Sequence, residues 1–97
     1  MRRYLSVLVL LAACLLSPLL GADEQLESEV AYLLEFVAGS GCDFVRNGSA
    51  HDPDEAADHL RLKYSRGKRY LSSTEHFIDR LASESSWTGK PYSVTCN

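Results

Sequence analysis

Apolar residues recur at helical spacing from position 24 to 38. Leu26, Val30, Leu33, Leu34 and Val37 form a stripe, and Glu24, Glu27, Glu29 and Glu35 fill much of the remaining surface. The early glutamates suit a helix N-terminus, and Gly39-Ser40-Gly41 ends the pattern. A second helix starts at Asp52, which has the chemistry of an N-cap, with Pro53 at the first helical position and Glu55 at the third. It is expected to run to Arg66 with Gly67 as its C-cap, and Ala56, Ala57, Leu60 and Tyr64 share one face. Ser72-Ser73-Thr74-Glu75 predicts a third helix, with Ser72 as cap and Glu75 reaching back. Phe77, Ile78, Leu81 and Ala82 are its apolar stripe.

The pattern changes in two short places. Cys42 to Arg46 is partly alternating and is closed by Asn47-Gly48, a strong turn dipeptide. Tyr92 to Cys96 alternates as well, and the two pieces can pair. Ser85-Ser86 and Thr88-Gly89-Lys90-Pro91 make a loop around Trp87, which is expected to plug a small core, with a recognition aromatic as the alternative. The expected fold is mainly α: about three amphipathic helices with a short two-stranded β element, stapled by one disulfide.

The N-terminus reads differently. Arg2 and Arg3 precede 19 residues, Tyr4 to Ala22, that carry no charge. This is the plan of an export signal, with Pro18 breaking the apolar run shortly before a cut after Ala22. The domains are then a signal peptide at 1–22 and a single exported domain at 23–97, in the periplasm. Two alternatives stay open. Leu11-Ala12-Ala13-Cys14 fits a lipobox, which would anchor the chain through a lipidated Cys14. An uncleaved segment of this length could also span a bilayer. A membrane enters the picture only under these two.

Removing residues 1–22 takes away two bases and leaves thirteen acids against eight, so the formal charge moves from −3 to −5. A 75-residue domain is too small for a multi-step enzyme or a dinucleotide-binding fold, and it buries so modest a share of its surface that it is marginal without a staple. Cleavage also removes Cys14 and leaves Cys42 and Cys96, one pair for an oxidising compartment. A redox-active or metal-binding thiol pair is the alternative, although neither cysteine has a Cys-x-x-Cys partner.

Candidate chemistry is sparse. Arg46, Asp58 and His59 could serve a hydrolase or lyase, but no Gly-x-Ser-x-Gly elbow exists and adjacent helix residues point about 100° apart. His51, Glu55 and His59 lack the spacing of a zinc motif, so no metal or other cofactor is assigned. Arg61, Lys63, Arg66, Lys68 and Arg69 put five bases in nine residues, with Tyr64 and Tyr70 interleaved. On an acidic chain this positive patch could meet an anionic ligand or an acidic envelope protein. Export argues against nucleic acid. The binding residues read from the sequence are therefore Arg46, Arg61, Lys63, Tyr64, Lys68 and Arg69.

Several segments carry a resemblance: Ala31-Tyr32-Leu33-Leu34, Gly41-Cys42, Phe44-Val45-Arg46-Asn47-Gly48, Ala56-Ala57-Asp58-His59-Leu60, Lys63-Tyr64, Phe77-Ile78 and Gly89-Lys90-Pro91-Tyr92 through to Cys96. With them the chain resembles a family of small exported proteobacterial proteins classed as a domain of unknown function. The resemblance implies a periplasmic setting and the two cysteines, and it brings no catalytic residue. The leading reading is a non-enzymatic envelope protein that binds a protein or an anionic ligand.

Overall fold

The computed structural model describes residues 21–97, so the N-terminal apolar run and Cys14 lie outside the described residues. In chain order it comprises helix α1 (Ala22–Ala38), strands β1 (Asp43–Arg46) and β2 (Ser49–His51), and helix α2 (Pro53–Gly67). A 3-10 turn (Lys68–Tyr70) follows, then helix α3 (Thr74–Phe77), which widens into a π turn (Ile78–Ala82), and strand β3 (Ser93–Thr95).

The core lies where the three helices meet. Leu26, Val30 and Leu34 of α1 bury against Tyr64 of α2 and Phe77 of α3, with Leu60, Leu71, Leu81 and Ala82 packed around them. The Tyr64 ring meets Phe77 edge-on, with centroids 5.6 Å apart. Its hydroxyl donates to Glu27 Oε1 at 3.0 Å, so the phenol's polar tip is satisfied on α1. Burial, and then the Glu27 hydrogen bond and the charges of Glu27 and Asp23, push its pKa up to about 12.

The fold is mixed α/β rather than mainly α. The sheet has three antiparallel strands in the order β2-β1-β3, not two. The additional strand follows from the turn. Asn47 (φ 50°) and Gly48 (φ 82°) both take left-handed backbone, the geometry of a two-residue hairpin whose twist matches its strands. The chain therefore returns along β1, pairing Arg46 with Ser49 and Phe44 with His51. Ser49-Ala50-His51 carries no β-branched residue, so its strand is set by the turn and not by propensity. On the other side β3 pairs Phe44 with Val94 and Val45 with Ser93, and Cys42–Cys96 clips the two strands together as expected.

Two helix boundaries differ in instructive ways. Gly67 is inside α2, and the helix continues as a 3-10 turn. Gly67 has φ −106° and is not a left-handed cap; a Cβ there would lie 3.1 Å from Leu81 Cδ1, so the glycine leaves room for that side chain. The cap of α3 is Ser73, whose Oγ accepts from the His76 amide at 3.1 Å. His76 Nδ1 in turn accepts from the Ser72 amide at 3.2 Å, so a histidine takes the role expected of Glu75. The α2 start agrees with the sequence reading: Asp52 Oδ1 accepts from the Glu55 amide at 2.8 Å.

Removing the staple with Cys42→Ala/Cys96→Ala should lower unfolding stability by roughly 4 kcal/mol, given the length of the loop it closes. Phe77→Ala, at the centre of the core, should cost about 3–5 kcal/mol. Urea unfolding followed by circular dichroism reads both, and an unchanged midpoint in either variant would contradict the packing described.

Candidate functional site

In an antiparallel sheet, directly opposed residues, and residues two apart on one strand, project to the same face. The register above therefore puts Phe44, Arg46, His51 and Val94 on one face. Continued by one step it brings Tyr92 beside Arg46. On α2, His59 and Lys63 are four residues apart and share a side with Ala56. That side meets the sheet, while Ala57 and Tyr64 turn to the core.

Between these surfaces lies a cavity of about 460 Å³. Most of its wall is apolar: Leu33 and Val37 of α1, Phe44 and Val94 of the sheet, and Phe77 and Ala82 of α3 and its π turn. Phe36, Ile78 and Val94 line it and are also exposed, so they form its open side. The polar part of the wall is Arg46, His51, His59, Ser83 and Tyr92. Arg46, His59 and Tyr92 also line a second cavity of about 500 Å³, with Lys63, Arg66, Leu62 and Trp87 around it. Arg46, His59 and Tyr92 are thus the wall that the two share.

Its hydrogen bonds run in one direction. Lys63 Nζ donates to the Glu84 carbonyl and to the Tyr92 hydroxyl, both at 2.9 Å, and lies 5.0 Å from the centre of the Tyr92 ring. An ammonium has no acceptor, so the Tyr92 hydroxyl is free to direct its own hydrogen to His59 Nε2, 3.4 Å away. Burial, then the positive charges of Arg46, Lys63 and His51, lower the His59 pKa below 6.5. The imidazole is neutral at neutral pH.

The charge balance is unusual. Of the eight lysines and arginines in the described residues, only Arg46 and Lys63 are half-buried. Among the described residues no carboxylate lies within ion-pair distance of either. Nearby acids are engaged elsewhere: Glu55 Oε2 with His51 Nδ1 at 3.0 Å, and Asp58 Oδ1 with Arg61 Nη1 at 2.6 Å.

The structure thus divides the residues singled out in the sequence. Arg46 and Lys63 converge on His59. Arg61 turns to Asp58, and Asp58 does not accompany His59, which faces Tyr92. Lys68 sits 3.4 Å from Glu27, beside the buried Tyr64. Arg69 stacks on the exposed Tyr70 ring. Tyr92, half-buried between Lys63 and His59, was missed; its place in an alternating tail opposite Arg46 was the available signal.

Trp87 is not a core plug. It is 96% exposed. The loop that carries it is nonetheless well tied. Buried Ser85 Oγ accepts from the amides of Trp87 and Thr88 at 3.2 and 3.3 Å and from Asn47 Nδ2 at 3.2 Å. Thr88 Oγ1 donates to Asn47 Oδ1 at 2.7 Å, which fastens the loop to the hairpin turn.

An NMR titration of the His59 ring should show a midpoint below 6.5. Arg46→Gln and Lys63→Gln should each move it up only part of the way, because burial is the largest cause. A wild-type midpoint at or above 6.5 would contradict this arrangement.

Comparison with known proteins adds kinship and no activity. The uncharacterised protein YfeK of Salmonella typhimurium (strain LT2) is 55% identical over 49 residues, which is 50% of this chain and 41% of that protein. The match thus spans about two-fifths of the relative's length. No solved structure matches. The model of a family of unknown function, DUF5329, matches residues 24–97, from the first turn of α1 through the disulfide, and the chain belongs to that family.

Proposed function

We propose that this is an exported, non-enzymatic binding protein that captures an anionic group at Arg46, His59, Lys63 and Tyr92. The observation that carries the reading is the pair of half-buried cations without a carboxylate partner, on a segment whose formal charge is −5. Half-buried cations without a carboxylate partner remain available to pair with an anion from outside the chain. A carboxylate or phosphate of a ligand would supply what the described residues do not. Lys63 has used two of its three hydrogens, and Arg46 offers a fork suited to either anion. Two features support export: the charge-free run behind Arg2-Arg3, and a disulfide of the kind that persists outside the cytoplasm.

An anion seated beside His59 favours its protonated form, so binding takes up a proton. The sign follows from a free-protein pKa held below 6.5 by burial and then by Arg46 on β1, Lys63 on α2 and His51 on β2. Affinity for a carboxylate that stays charged should rise as pH falls from about 8 to 6. Butyrate, titrated while the His59 and Tyr92 resonances are followed, tests this. The expected result is a shift of both, and a loss of affinity of roughly tenfold or more in Arg46→Gln or Lys63→Gln. Resonances that do not move in molar-excess butyrate, or an affinity that falls with falling pH, would end the reading.

A further inference from the structure

From the joining of the cationic cluster to the apolar cavity, we infer that the ligand is a single-chain anionic amphiphile, such as a fatty acid or a monoalkyl phosphate. Its acyl chain lies along Leu33, Val37, Phe44, Phe77 and Val94, and its charged end lies against Arg46 and Lys63. This rests on the anion reading above and extends it to the other end of the ligand.

Three observations lead there. The cavity, at about 460 Å³, is within the size range of small-molecule sites, about 300–1,000 Å³. Its wall combines two characters: aliphatic and aromatic side chains from α1, the sheet, α3 and the π turn make up most of it, and Arg46, His59 and Tyr92 are shared with the second cavity, where Lys63 bonds the Tyr92 hydroxyl. A wholly apolar ligand would leave Arg46 and Lys63 as unpaired as before, and a small anion would leave the apolar wall uncovered. Only a molecule with both parts satisfies both. The third is the open side. Phe36 is 67% exposed and Val94 54%, large apolar groups at the rim of the cavity, where an incoming chain leaves water first. The π turn contributes Ile78 and Ala82 to the cavity wall.

Chain length separates this inference from the one it rests on. Binding of butyrate, octanoate and decanoate is measured by titration calorimetry, with Trp87 fluorescence as a second signal, since this is the only tryptophan and it lines the adjoining cavity. Affinity should rise roughly fourfold per added methylene until the cavity is filled. Decanol should bind at least tenfold more weakly than decanoate. Val94→Trp, a change at an exposed rim position, should reduce decanoate to the affinity of butyrate. Ala56→Leu, which fills part of the cavity from α2, should do so too, with thermal unfolding showing that each variant folds.

Equal affinity for butyrate and decanoate would overturn the acyl inference and leave the anion reading standing. Equal affinity for decanol and decanoate would overturn both, because the cations would then be idle. Decyl phosphate in place of decanoate identifies the source of the charge, and tight binding of either supports the inference. Capture by vesicles of an anionic diacyl phospholipid, with no binding of either monomeric amphiphile, would overturn it in favour of a membrane-surface contact.

Discussion

Most of the arrangement depends on one closure, the joining of Cys42 to Cys96 across 54 residues. It fixes β3 against β1, and β1 is the central strand, so both neighbours take their position from it. The register that results is what carries Tyr92 to Arg46 and Val94 to Phe44. Without that clip a three-residue terminal strand would have little to hold it, since Ser93-Val94-Thr95 is exposed along its length. The polar wall between the two cavities is therefore a product of the disulfide as much as of the helices. The Tyr92 amide, bonded to the Ser83 carbonyl at 2.9 Å, ties the same residue to the end of the π turn. One residue of the site is thus held by two distant parts of the chain.

Helix α2 has two tasks, and the helical period keeps them apart. Ala57 and Tyr64 lie one above the other and turn to α1 and α3, where Tyr64 ends on Glu27. Ala56, His59 and Lys63 follow the adjacent stripe and face the sheet. A basic side chain on the first stripe would be buried in the core. On the second it meets a tyrosine hydroxyl and a carbonyl oxygen. The dense run of bases from Arg61 to Arg69 is thereby distributed around the helix: part of it goes to surface pairing with Asp58 and Glu27, and Lys63 goes to the cavity wall.

Much of the fold was legible because it is written in local chemistry. Asp52-Pro53 starts α2, Gly39 ends α1, Asn47-Gly48 makes the hairpin, and two cysteines clip it. What was not legible depended on tertiary context. Strand β2 has no strand-forming residue and exists because the turn and β1 impose it. The cap of α3 moved by one residue because His76 could serve where Glu75 was expected. Tyr64 was placed both on a buried face and in a binding patch by the same sequence, and packing against Phe77 decides for the face. Trp87 looked like core by size alone, but Ser85 and Asn47 hold its loop outward. The bonding of Lys63 to Tyr92 and of Tyr92 to His59 joins a helix to a tail about 30 positions away, and no local pattern encodes that.

Cavity and core are not separate compartments. Leu34 and Phe77 belong to the buried cluster between the helices and also line the cavity, and Ala82 packs on the first while bounding the second. An occupant of the cavity would therefore lie on the reverse of the same side chains that hold α1, α2 and α3 together. Binding to the folded state alone stabilises it by mass action. Here the coupling has a direct structural route, because apolar atoms now facing solvent through the open side would gain neighbours. The same overlap limits what can change. Enlarging the cavity at Phe77 removes the centre of the core, whereas substitutions at the rim, at Phe36, Ile78 or Val94, alter exposed surface. Variation in what such a site accepts should therefore concentrate at the rim, with the disulfide and the Tyr64–Phe77 contact held fixed beneath it.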